Sequence, residues 1–141
     1  MTPNPVPRRA RIALLAAMLL APAWLAAQPA TPLRFSAGTN NASVNGQLKG
    51  PNEVARDYVV PGVPGATLDV SLSTPSKETF FSVLDAYGNT MYTNQGDLRS
   101  SWSVRLVDSV NYRIRVFLDP SAASQGRGAA YTLKVKLEPP R

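Results

Sequence analysis

The chain contains no histidine and no cysteine, and each absence closes functional classes. A serine hydrolase of the usual kind needs an imidazole base, and a papain-like protease needs a thiol beside an imidazole, so both are excluded. Zinc, copper and haem sites lose their commonest ligands for the same reason, which leaves only all-oxygen cation sites. Without cysteine no disulfide can staple the fold, and apolar packing and sheet hydrogen bonds must supply its stability. Phosphate-cradling patterns are missing as well, because Gly46, Gly50 and Gly96 belong to neither a G-x-x-x-x-G-K-[ST] loop nor a strand-associated G-x-G-x-x-G. Charge is sparse, at 17% of residues against 44% hydrophobic, a balance that fits a folded globular chain of one domain.

Long apolar runs are absent except at the N-terminus. There Arg8, Arg9 and Arg11 precede an apolar stretch over residues 12–25, followed by the small-residue site Leu25-Ala26-Ala27. This order predicts a secretory signal peptide over residues 1–27, cleaved after Ala27. The stretch falls short of the roughly 20 residues of a spanning helix and Pro22 interrupts it, which argues against a membrane anchor. No cysteine follows it, so an acylated lipoprotein is excluded and a periplasmic or secreted product, free of the membrane after cleavage, is expected. Three of the fifteen basic residues leave with the leader, so twelve face nine acidic residues in the mature chain. That excess is too small to signal nucleic-acid binding, which draws on many cationic contacts to phosphate.

Helical periodicity is missing after the leader, where no segment carries a sustained i, i+3, i+4, i+7 apolar pattern. Alternation of period two takes its place. It is clearest over residues 67–72, 112–116 and 131–137, where Tyr112, Ile114 and Val116 and then Tyr131, Leu133, Val135 and Leu137 face a core. Arg113, Arg115, Lys134 and Lys136 fall on the opposite, solvent-facing side. Further strands are expected over residues 42–48, 57–60, 80–85, 90–93 and 101–107, punctuated by Gly, Pro, Asn and Asp turns. About eight short strands with regular turn signals predict an all-β fold, a compact antiparallel, jelly-roll-like β-sandwich over residues 34–138. Residues 28–33 read as a flexible lead-in and residues 139–141 as a tail.

Few residues offer chemistry. Asp85-Ala86-Tyr87-Gly88-Asn89 is the best cation candidate, but a competent calcium site needs six to eight oxygens and the segment reads as a hairpin turn. Glu53 and Asp57 are the one close acidic pair, with Arg56 between them, and surface solvation accounts for them better than carboxylate-pair hydrolysis. No cofactor, metal or catalytic residue is expected. Phe117 and Trp102 read as aromatics packed against the second sheet or a loop. The longest irregular connection, residues 119–128, carries Ser124, Gln125 and Arg127, and loops on a rigid sandwich often carry binding function.

The ordered set Phe35-Ser36-Ala37-Gly38, Ala42-x-Val44-x-Gly46-x-Leu48-Lys49-Gly50, Asp57-Tyr58, Gly65-Ala66-Thr67-Leu68-x-Val70-x-Leu72, Tyr112-x-Ile114-Arg115-Val116 and Tyr131-x-Leu133-x-Val135-x-Leu137 resembles the bacterial periplasmic inhibitors of g-type lysozyme. The resemblance runs over nearly the whole mature chain. It implies a β-sandwich related to the pre-peptidase C-terminal domain, and a protein without catalytic activity that blocks the lysozyme active site by inserting surface loops. The expected partner is therefore a g-type lysozyme, met by Asn52, Glu53 and Arg56 in the turn over residues 50–56 and by Ser124, Gln125 and Arg127. Arg127 would pair with an acidic active-site carboxylate, and Arg113 and Arg115 would steer the approach. An alternative for Arg115 is simple pairing with a neighbouring strand. The chain departs from the family where arginines are expected between the last two strands, since Pro120 and Ser124 stand there. A module of the pre-peptidase C-terminal kind, holding cell-wall glycan or protein through an exposed sheet face, is the other reading.

Overall fold

The computed structural model describes residues 29–141 except Leu98, so the expected signal peptide lies outside the described residues. Among the described residues nine strands form: β1 (Ala30–Pro32), β2 (Asn41–Lys49), β3 (Ala55–Val60), β4 (Thr67–Ser73), β5 (Thr79–Leu84), β6 (Thr90–Thr93), β7 (Ser101–Arg105), β8 (Tyr112–Leu118) and β9 (Gly128–Glu138). They divide into a five-stranded sheet in the order β1-β3-β8-β5-β6 and a four-stranded sheet in the order β2-β9-β4-β7. The alternation of the sequence decides which side of each strand meets the other sheet. Tyr58 and Val60, Phe81 and Val83, and Ile114 and Val116 come from the first sheet, and Leu48, Leu68, Val70, Leu133 and Val135 from the second; all are almost fully buried in one cluster. Each such side chain contributes about 1.5–3 kcal/mol by leaving water, and the core meets the need set by the absence of disulfides.

The expected strands match the observed ones to within a few residues, and the β-sandwich is as expected. One element differs. Residues 30–32, expected to lie in the flexible lead-in, form β1, which pairs parallel with β3 in the register Ala30↔Asp57, Thr31↔Tyr58 and Pro32↔Val59. Leu33 follows into the core and its amide donates to the Val59 carbonyl at 3.0 Å. Three residues with two prolines nearby carry too little periodicity to be read as a strand; the edge of β3 supplies the hydrogen bonds that order them.

The Asp85–Asn89 segment is a turn. The Asp85 carboxylate accepts from the Tyr87 and Asn89 amides, both at 2.9 Å, and among the described residues no group of three or more His, Cys, Asp or Glu side chains could hold a metal. Trp102 stacks on Tyr92 with ring centroids 4.9 Å apart and 5° between planes, bridging β7 of one sheet to β6 of the other. Phe117 packs on Phe80 of the adjacent strand at 5.9 Å, on the outer face of the five-stranded sheet.

Candidate partner-binding rim

Four connections gather at one end of the sandwich. The β8–β9 connection contains a short helix, α1 (Pro120–Ser124), which starts because Pro120 presets φ at the first helical position and the Asp119 side chain caps the Ser121 amide at 3.1 Å. The β2–β3 connection lies against it. The Gly50 amide donates to the Arg127 carbonyl at 2.9 Å, and Gly50 passes so close to the Ala123 backbone that a β-carbon there would collide with it. The β4–β5 connection joins through the Asp119 amide, which donates to the Glu78 carbonyl at 2.8 Å, and through the ion pair of Arg127 Nη2 with Glu78 Oε1, also 2.8 Å. From the β6–β7 connection Gln95 Nε2 donates to the Asp119 carboxylate at 3.2 Å. The Ser121 hydroxyl bonded to Asp119, opposed in part by burial, holds that carboxyl below the usual carboxylate range.

Beneath this rim the sheets are tied by the buried hydroxyls of Tyr58 and Tyr131, 2.6 Å apart. Tyr131 on β9 lies opposite Gly46 on β2, and a side chain at position 46 would run into the tyrosine ring. Burial first, and the Tyr58 hydroxyl second, push the Tyr131 phenol up, with the Arg56 charge opposing.

Of the residues expected from the sequence, the fold brings Asn52, Glu53, Ser124, Gln125 and Arg127 together on the rim, all exposed. Arg56 is half-buried beside them. Arg127 keeps an intramolecular partner, Glu78, which the sequence reading did not single out; a lone acid in a loop gives no signal before the register is known. Arg113 and Arg115 are not at the rim and do not stand free in solvent. Both reach across from β8 to Asp57 on β3, Arg115 through Nε at 2.8 Å and Nη2 at 2.9 Å, Arg113 through Nη1 at 3.1 Å. The carboxylate cancels one of the two charges, and the contact bears out the alternative of cross-strand pairing for Arg115. It also corrects the reading of Asp57 as a solvated surface acid: its side chain is wholly buried, with 0% exposure. The hydrogen bonds it donates to Asp57 raise the Arg115 guanidinium above its ordinary range.

The arrangement defines a class: a β-sandwich scaffold that carries interlocked loops at one end. No protein-family model matches the sequence, and no curated protein matches it. Solved structures share the fold. The periplasmic g-type lysozyme inhibitor PliG of Aeromonas hydrophila is similar with a TM-score of 0.67 at 23% identity, over 77% of this chain and 96% of that one. PliG of Salmonella Typhimurium gives 0.58 at 18% identity, over 77% and 96%. The pre-peptidase C-terminal domain of a Bacillus anthracis collagenase gives 0.54 at 15% identity, over 77% and 98%. The likeness is one of fold, and it is the fold that the sequence resemblance implied.

Proposed function

We propose that the mature chain is an exported, non-catalytic inhibitor of g-type lysozyme that presents the connections over residues 50–56 and 119–128 to the enzyme. One observation carries this reading: the Gly50–Arg127 hydrogen bond and the Gly50–Ala123 approach lock two separate loops into one preformed surface. A preformed surface loses little conformational freedom on binding. The fold shared with the PliG inhibitors supports the same end use. Arg127 is half-exposed, at 48%, and its guanidinium can exchange the Glu78 carboxylate for one on the partner with little change in charge pairing.

A turbidity assay of peptidoglycan lysis by g-, c- and i-type lysozymes tests the reading. The expected result is selective inhibition of the g-type enzyme, weakened about tenfold in Arg127→Ala, the effect of losing one charged hydrogen bond. Absence of inhibition of any class at micromolar concentration would overturn it. The second reading, a pre-peptidase C-terminal-like module, draws support from the collagenase-domain likeness; sedimentation with cell walls without effect on any lysozyme would select it.

A further inference from the structure

Two adjoining rows on the outer face of the four-stranded sheet lack the β-branched and aromatic residues that strands favour. Registered neighbours place Ser43, Lys134, Ser71 and Ser101 in one row across β2, β9, β4 and β7. The next row is Asn41, Lys136, Asp69 and Ser103. Strands lie about 4.8 Å apart and same-face residues about 7 Å apart along each strand, so the rows form a regular grid of polar groups. Exposed strand positions favour β-branched and aromatic residues. Short serines in their place leave an open depression that Lys134, Lys136 and Arg99 line together with Val70, Trp102 and Val135. A departure from local propensity that sheet stability does not reward is expected where a surface has another use.

Charge on this face is unevenly satisfied. Lys136 pairs with Glu138 at 2.6 Å, and Asp69 accepts a hydrogen bond from the Ser103 hydroxyl. Lys134, flanked by Ser43 and Ser71, has no carboxylate within ion-pair distance among the described residues. Arg99, 75% exposed, touches Asp97 only at 3.8 Å. Among the described residues the face thus offers hydroxyl and amide groups around the Lys134 ammonium, and its aromatic, Trp102, is half-buried and already stacked on Tyr92. Without a free aromatic anchor it does not suit a protein hot spot, and it gives unstacked bases nothing to lie on. Hydroxyl-rich ligands bearing carboxylates match both halves of its chemistry.

We propose that this sheet face is a binding surface for a carboxylated sugar chain, with Lys134 meeting the carboxylate and Ser43, Ser71 and Ser101 meeting sugar hydroxyls. The face is distinct from the rim, and the proposal deepens the sheet-face reading rather than the lysozyme one. Affinity gels of polygalacturonate, neutral dextran and oligothymidylate, run with the mature protein, test it. Retardation by polygalacturonate alone is expected, abolished at 1 M salt, where the Debye length is about 3 Å. Lys134→Glu should weaken retardation about tenfold or more while Lys77→Glu, the same charge change in the β4–β5 connection, leaves it within about twofold. Ser71→Val, which keeps every charge, should also weaken it. Equal retardation by dextran, stronger retardation by oligothymidylate, or equal losses in Lys134→Glu and Lys77→Glu would each overturn the proposal. Lysozyme inhibition measured on the same samples reports on the rim separately, and Lys134→Glu should leave it unchanged.

Discussion

Asp57 is the residue on which the outer face of the five-stranded sheet depends. Two arginines at positions 113 and 115 point the same way from β8, and the carboxylate between them offsets their repulsion. Asp57→Ala should therefore destabilise the protein by about 3 kcal/mol, the low end for a broken buried pair because both arginines keep 38% exposure to water. Urea unfolding monitored by tryptophan fluorescence measures it. The tyrosine pair makes a different case. Tyr131→Phe would leave the Tyr58 hydroxyl buried without its partner and should cost about 1–3 kcal/mol. Tyr58→Phe with Tyr131→Phe removes both polar groups, so the double variant should lose less than the sum of the single ones. A strictly additive cycle would mean that the hydroxyls do not interact.

The elements themselves were largely legible in the sequence. The alternation at residues 112–116 and 131–137 fixes which side of β8 and β9 is buried, and Leu133 and Val135 lie in the core as read. Two kinds of information were not local. Register decides that Asp57 lies opposite Arg115, and no spacing within either strand discloses it. Partnership decides that residues 30–32 become a strand, since their hydrogen bonds come from β3. The rim was legible as two loops but not as one surface, because the Gly50–Ala123 approach joins segments far apart in sequence. The helix α1 and the Asp85 turn carry the acid sensitivity of these elements. Asp119 is held below its ordinary pKa chiefly by the Ser121 hydroxyl, and Asp85 chiefly by the Asn89 amide. A carboxyl with a lowered folded pKa contributes stability that is complete above its unfolded value, about 3.9, and is lost as pH falls through the lower folded one. The melting temperature should therefore drop below about pH 4, and the drop should be shallower in Asp85→Asn with Asp119→Asn. An unchanged acid slope in that double variant would assign the loss to other groups.

At the scale of the whole molecule, two sheets share one core and no covalent cross-link, so apolar packing and sheet hydrogen bonds together set the boundary of the folded unit. That gives β1 a weight beyond its three residues. It is the outermost strand of its sheet, and its parallel pairing covers the backbone of β3 at Asp57, Tyr58 and Val59. A product trimmed to begin at Leu33 would uncover that row of amides and carbonyls beside the partly buried Val59, and an open strand of this kind is a template for another chain. Such a product should keep its far-ultraviolet spectrum yet elute from a sizing column as dimers and larger species at rising concentration; a monomer at every concentration would assign the covering role elsewhere. The sequence expectation of a cut after Ala27 would leave Gln28 and Pro29 ahead of β1 and keep the β3 edge covered, whereas a cut a few residues further on would make the same edge an acceptor for another chain.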